Sequence, residues 1–412
     1  MTHTDRKGPG IARPKHPKKI HHPPTRPSTS SLPSSTPLNT PLPIEQLVLR
    51  TISSALVTTL GNSALPTIIQ NIKHLLYEKQ FLKVFEDETV LQAYAARWVP
   101  SRALAFREIM GESEYVVRLL QGRKAGAKSG NGGGTSDTKG KGKGKEESTM
   151  DVKPRNRVVC LGGGAGSEFL ALVALVSPEN EFTEFPKDAP VGTASNGESS
   201  DDDDDEEDKE TRQRQQRQIL PACDVHLVDI GPYAPVVDKF TTSLRSTLPS
   251  ADFTETFHQT DILSPESTVL EDLLEPSIGD VDPSSPLITL FYTLSELFLQ
   301  SRPATILFLD RLSRAAPRGT LFLIVDSANE EASALGVGKA GRSYSLADVL
   351  DGLLTAVKPR EDKEGEEGPP RPRWKRLEGV DSRWFRLKAG LQEKYPVKLE
   401  NSRYWSRLYR KE

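Results

Sequence analysis

Cysteine is almost absent from this chain of 412 residues, with Cys160 and Cys223 as the whole complement. Both fall in apolar runs that read as strands, and the simplest reading is two buried thiols in a reducing compartment. No group of Cys and His has the spacing of metal ligands, so no metal is expected. Long apolar runs are also missing. No segment is long enough to span a bilayer, and no secretory leader is visible. The expectation is a soluble, intracellular protein with no membrane partner. Apolar residues make up only 36% of the chain, because several stretches carry no core pattern. The net charge of −3 hides strong local asymmetry.

Those stretches divide the chain. Residues 1–43 are rich in Pro, Ser and Thr, with Lys15, Lys18, Lys19, His21 and His22 clustered together. They read as a disordered basic arm, suited to nuclear import or to RNA. Residues 44–121 read as a helical N-terminal domain. Residues 122–152, rich in Gly, Lys and Ser, read as a flexible linker. Residues 153–412 form the remaining domain, interrupted by an acidic low-complexity insert at 177–218. A further charged loop is expected at about 358–379.

One stretch organises the rest. Val158, Val159, Cys160 and Leu161 form a short apolar run that enters Gly162-Gly163-Gly164-Ala165-Gly166, and a helical pattern starts at Ser167. Strand, glycine turn and helix start together form a ligand-binding loop. Dinucleotide loops read G-x-G-x-x-G. Here Gly162, Gly164 and Gly166 give G-x-G-x-G, the spacing associated with S-adenosylmethionine (SAM). An acid for the ribose hydroxyls should follow about 20 residues later. Asp229 lies 63 residues after Gly166, and removal of the 42-residue insert leaves 21. Further strands end near Asp261, at Ser295-Glu296 and at Asp326. Alternating strands and helices of this kind give an α/β fold with a Rossmann-like sheet. Ligands bind beyond the carboxyl ends of such strands.

In the helical region, Ile44, Leu47, Val48, Ile52, Leu56 and Leu60 share one face, as do Ile68, Ile69, Ile72, Leu75 and Leu76. A helix over Val90–Trp98 should end at Pro100, with Ser101 capping the next one over Arg102–Met110. Arg97 and Arg102 flank Trp98 at that break, where they are expected to face an anionic group of the substrate RNA.

Four segments together resemble a known family. They are Gly162 to Glu168, Thr260-Asp261-Ile262-Leu263, Phe291-Tyr292-Thr293-Leu294-Ser295-Glu296-Leu297-Phe298, and the terminal Leu399 to Lys411. The segment Arg97 to Leu104 also fits. The chain resembles the fungal large-subunit ribosomal RNA uridine-N3 methyltransferases. The resemblance implies a class I methyltransferase sheet, SAM as cofactor, and methylation of N3 of a uridine in 25S rRNA during ribosome biogenesis. It also implies a nuclear or nucleolar location, with cytoplasm as the alternative. Gly162, Gly164, Gly166, Glu168, Asp229, Asp261, Ile262 and Ser295 are the expected cofactor residues. Many class I enzymes carry an acid two places before the first glycine, where this chain has Cys160, so Glu168 is expected to meet the methionine amino group instead. Ser295 stands where the family pattern has Asn, and a hydroxyl can still hydrogen-bond there.

Uridine N3 carries a proton at neutral pH, so a base is needed, and Glu296 is the candidate. N3 also lies on the pairing edge, so the base must be unpaired or flipped out. The segment from Asn401 to Lys411 alternates cations with aromatics. As a strand pairing with Trp384 to Leu387, it would place Arg403, Trp405, Arg407 and Tyr409 on one face toward RNA. The competing readings are a non-catalytic RNA-binding protein on a methyltransferase fold, and a methyltransferase of a protein or small molecule.

Overall fold

The computed structural model describes residues 43–85, 87–121, 155–177, 222–275, 285–329, 334–337, 342–355, 357–358 and 371–412. The expectations for the basic arm, the linker at 122–152 and the acidic insert lie outside these residues, apart from Pro43 and Ser177 at their edges.

Five parallel strands form the centre. They are β1 (Asn156–Leu161), β2 (Cys223–Asp229), β3 (Phe253–Gln259), β4 (Leu287–Phe291) and β5 (Leu321–Ser327). Short ribbons β6 (Ala334–Val337) with β7 (Arg342–Ser345), and β8 (Val357–Lys358) with β9 (Arg371–Pro372), pair apart from the main sheet. The last two strands are β10 (Trp374–Phe385) and β11 (Ser402–Lys411). The seven-stranded sheet runs β10-β11-β5-β4-β1-β2-β3. β11 is antiparallel to both β5 and β10. Every side chain of β4 is buried, as expected of a central strand covered on both faces. Strand order reverses between β1 and β4, which opens a crevice beyond their carboxyl ends.

The helices preceding β1 are α1 (Ile44–Ala55), α2 (Val57–Leu60), α3 (Leu65–Tyr77), α4 (Phe81–Val84), α5 (Glu88–Glu112) and α6 (Glu114–Leu120). They do not make a separate domain. Ile52, Leu104 and Phe106 share one core with Val158 of β1, Phe169 of α7 (Ser167–Val176) and Phe240 of the helix Ala234–Thr247. The other face of the sheet is covered by helices Val269–Leu274, Leu294–Gln300, Arg302–Ala315 and Leu346–Thr355.

The expected break at Pro100 does not occur. α5 runs unbroken for 25 residues, starting at Asp87, whose carboxylate accepts the Val90 N–H at 3.0 Å. Pro100 has no N–H for the carbonyl of Ala96. That carbonyl instead accepts from the Tyr395 hydroxyl at 2.8 Å. Ser101 Oγ, expected as a cap, accepts the Glu400 N–H at 2.9 Å. Arg97 donates to the Lys398 carbonyl at 2.9 Å and pairs with Glu400. A segment about 300 residues away thus repairs the helix, which no local sequence signal reveals. Tyr395→Phe should lower unfolding free energy by about 1–3 kcal/mol, because it leaves a buried carbonyl unsatisfied. Denaturant unfolding measures this, and an unchanged midpoint would mean that the carbonyl finds another partner.

The charged loop expected at about 358–379 is also shorter than that. β10 begins at Trp374, which is fully buried with its indole N–H donating to Ser313 Oγ at 2.8 Å.

Candidate active site

The glycine loop leaves β1 at Gly162, whose φ of +71° lies in the left-handed region. A Cβ there would sit 2.3 Å from Thr293 Oγ1, in the loop after β4. Gly164 lies so close to β2 that a Cβ would come within 2.5 Å of Asp229 Cβ. Its N–H donates to Asp229 Oδ2 at 2.9 Å, and Gly231 N–H donates to Oδ1 at 2.9 Å. Gly166 caps α7. Loop, β2 end and β4 end therefore form one interlocked rim.

A cleft of about 920 Å³, counting its open mouth, lies against this rim. Gly162, Glu168, Asp229, Asp261, Ile262 and Glu296 line it, and so does Arg102. Gly164 and Gly166 shape the rim without lining the cleft. Ser295 is not part of the lining: its N–H and hydroxyl both donate to Asp326, at 2.8 and 3.0 Å. Its role is to anchor the helix that carries Glu296.

Sequence reasoning missed the aromatic wall. Tyr94 and Phe106 reach the cleft from α5, Tyr233 from the start of the helix after β2, and Tyr292 from the end of β4. No local sequence signal marked these side chains as cleft residues; the structure sets Tyr292 apart as a non-glycine residue at φ +54°, just ahead of the helix that bears Glu296.

The cleft concentrates acids. Burial pushes the Glu168 carboxyl up to about 8, with Asp229 adding to the rise and Arg102 opposing it. Glu168 Oε1 is buried without a hydrogen-bond partner. Burial likewise raises Glu296 to about 8, opposed by Arg102 and aided by Asp326 and Asp229. Asp229 rises to about 6 from burial, held back by the backbone N–H groups of Gly231, Gly164 and Ile230. Burial works against the Arg102 charge, yet Tyr94, Glu296 and Tyr292 hold it above its ordinary range.

The expected RNA face is not available. Arg97 is buried and tied to Lys398 and Glu400. β11 has a partner strand on each edge, and helix Leu346–Thr355 covers the face in question. Trp405 is buried there. Arg407 is buried with Asp351 and Asp381, and the Tyr409 hydroxyl donates to Asp351 at 2.6 Å. Alternating cations and aromatics look alike on an open face and on one whose acids arrive from elsewhere in the chain. Arg97, Trp405, Arg407 and Tyr409 are therefore packing residues. Arg403 stays exposed, with Nε donating to Ser382 Oγ at 2.7 Å. Opposite it on β10 is Trp384, 51% exposed, with the Arg386 guanidinium 5.3 Å from its ring centroid.

Among the described residues no cluster of His, Cys, Asp or Glu could hold a metal, and no helix is long and apolar enough to cross a membrane. The strand order β3-β2-β1-β4-β5, the antiparallel strand inserted beside β5, and the G-x-G-x-G loop over an acidic cleft define a class I SAM-dependent methyltransferase. The comparisons agree. A family described as "SAM-dependent methyltransferase" matches residues 52–410, and the chain belongs to it. The 25S rRNA (uridine(2843)-N(3))-methyltransferase of Saccharomyces cerevisiae is 27% identical over 353 residues, 84% of this chain and 78% of the relative. The solved structure of the N-methyltransferase NodS from Bradyrhizobium japonicum WM9, in complex with S-adenosyl-L-homocysteine, matches with 9% identity. It covers 62% of this chain and 78% of that one at a TM-score of 0.27. A SAM-dependent methyltransferase from Methanosarcina mazei matches at 12% identity, 62% and 92% coverage and a TM-score of 0.27. Superpositions that loose carry no argument about the site.

The cleft residues fit this cofactor. The orphaned Glu168 oxygen suits an ammonium group, and Asp229 retains lone pairs for ribose hydroxyls. An ammonium ligand needs Glu168 ionised, yet the free cleft holds that carboxyl near 8. Binding below pH 8 must expel a proton, so SAM affinity should rise by up to about tenfold per pH unit toward pH 8 and then level off. Calorimetry across pH tests this in Glu168→Gln, which should bind at least about tenfold more weakly and lose this proton release. A variant with the wild-type profile would take Glu168 out of the cofactor site.

Proposed function

We propose that this enzyme methylates N3 of a uridine in large-subunit (25S) rRNA, in the nucleus or nucleolus during ribosome assembly. The yeast relative, alike over most of both chains, is the observation that carries this reading. The cleft chemistry is in keeping with it. SAM, when bound, supplies an electrophilic methyl group. The uridine must enter the cleft unstacked, because N3 is otherwise covered by its pairing partner. Glu296 has a carboxyl in the cleft with no hydrogen-bond partner among the described residues. It takes the N3 proton, and the freed lone pair on N3 is the nucleophile. The aromatic wall excludes water and offers faces for base stacking.

RNA flanking the target rests on Trp384, Arg386 and Arg403. Trp384 and Arg403 pair across β10 and β11 and are both exposed, with the Arg386 guanidinium over the Trp384 ring. Trp384→Ala with Arg403→Ala should weaken RNA binding by about tenfold or more and make its salt dependence shallower, with SAM affinity unchanged. RNA affinity and salt slope both at wild-type values would move the interface elsewhere.

The deciding experiment is nucleoside mass spectrometry of rRNA from a strain lacking the gene, before and after incubation with protein and SAM. Appearance of 3-methyluridine only after incubation supports the reading. Methylation of a protein or small molecule, with rRNA untouched, would overturn it.

A further inference from the structure

Arg102 is an unusual cation. It extends from α5 into the cleft, yet among the described residues no carboxylate lies within ion-pair distance of it. Its described hydrogen bond is from Nη1 to the Tyr94 hydroxyl, at 2.7 Å. Its guanidinium lies 5.6 Å from the Tyr94 ring centroid and 5.3 Å from that of Tyr292. A guanidinium has five donors, so most of them remain open toward the cleft. Charged side chains are seldom buried unless paired. The two tyrosines fix the plane of the group without neutralising it.

An unsatisfied carboxyl lies in the same cleft. Glu168 is 3% exposed, and its Oε1 has no partner. Arg102 and Glu168 influence each other electrostatically, yet they do not form an ion pair with each other. The cleft thus holds an open guanidinium and, near it but not paired with it, a buried carboxyl oxygen free to accept from an ammonium. The ligand that fits such a pair is a zwitterion with an ammonium and a carboxylate on one carbon.

We propose that Arg102 and Glu168 together bind the α-amino-acid end of the cofactor, with Arg102 on the carboxylate and Glu168 on the ammonium. The carboxylate presents two oxygens to the guanidinium fork, which favours Arg over Lys at this position. The site needs no RNA, so it stands or falls independently of the proposed substrate. Because Tyr94 and Arg102 both belong to α5, the helical layer supplies half of a cofactor subsite that the glycine loop alone does not complete.

The test is direct binding, measured by calorimetry, with SAM and with decarboxylated SAM, which keeps the ammonium and lacks the carboxylate. The wild-type protein should prefer SAM by about ten- to hundredfold. Arg102→Gln should lose that preference, while Glu168→Gln should keep it. Methylthioadenosine, which lacks both groups, should bind wild type and Arg102→Gln alike, and this comparison also verifies that the variant is folded. If Arg102→Gln still discriminates as wild type does, the guanidinium serves another anion, such as one formed on the methyl acceptor, and the proposal is overturned. If the variant does not fold, the wild-type ratio decides: equal affinity for the two cofactors would overturn the proposal.

Discussion

Glu296→Gln should lower kcat by about 10²–10⁴-fold and leave SAM affinity within a few-fold of wild type, the pattern of a lost general base. The pH dependence should change with it. A base must be ionised, and the free cleft holds this carboxyl near 8. The wild-type kcat/KM should therefore rise with pH and level off above about 8. Glu168 titrates in the same range, so the two carboxyls contribute jointly. The variant should lose the Glu296 share of the rise. Stability moves the opposite way. A carboxyl whose folded pKa is raised contributes stability below its unfolded pKa, and that contribution is lost as pH rises through the folded value. Glu296→Gln should thus be more stable than wild type at pH 8 and above, with the gap closing toward pH 4. A variant that keeps its rate, or that gains no stability at alkaline pH, would show that Glu296 is not the desolvated base.

Gly162→Ala should be the most damaging single change in the loop. The substitution puts a side chain at φ +71° and drives Cβ to 2.3 Å from Thr293 Oγ1 and 2.9 Å from Thr293 Cβ. Backbone strain and overpacking together should cost about 2–4 kcal/mol. The loop also carries the cofactor rim, so SAM should no longer raise the melting temperature. Adding Thr293→Ala removes the hydroxyl and methyl clash but not the backbone strain. The double variant should recover about half of the lost stability. If Gly162→Ala melts like wild type, the interlock between the loop and the β4 end is looser than its geometry indicates.

Much of this site was legible in the chain because its signals are local. A β-branched run entering glycines, an acid ending β2 and a Ser-Glu after β4 each follow from neighbouring residues, and the sheet brings them together. What stayed hidden depends on distant partners. Pro100 reads as a helix stop, yet the helix runs on, and the carbonyl it leaves free accepts from Tyr395. Arg407 and Tyr409 read as an RNA face until Asp351 and Asp381 arrive from other elements. Ser295 reads as a cofactor ligand from its place in the segment after β4, but its own bonds go to Asp326. Arg102 reads as an RNA contact exposed by a break in its helix. The helix break that was to expose it does not exist, and an unbroken α5 delivers it into the cleft instead.

The stitch between α5 and the segment from Tyr395 to Glu400 also sets an order of manufacture. Synthesis runs from the N-terminus, and α5 leaves the ribosome about 300 residues before the hydroxyl that completes it. β11, which follows this segment in the sequence, occupies a place inside the sheet and not at its edge. Contacts between chain ends form late and make folding slow. Until that segment emerges, the Ala96 carbonyl in α5 lacks its partner, and β5 and β10 have no strand to join them. Loss of the segment from Tyr395 to Lys411 would therefore be felt twice, in the helix that carries Tyr94 and Arg102 and in the middle of the sheet.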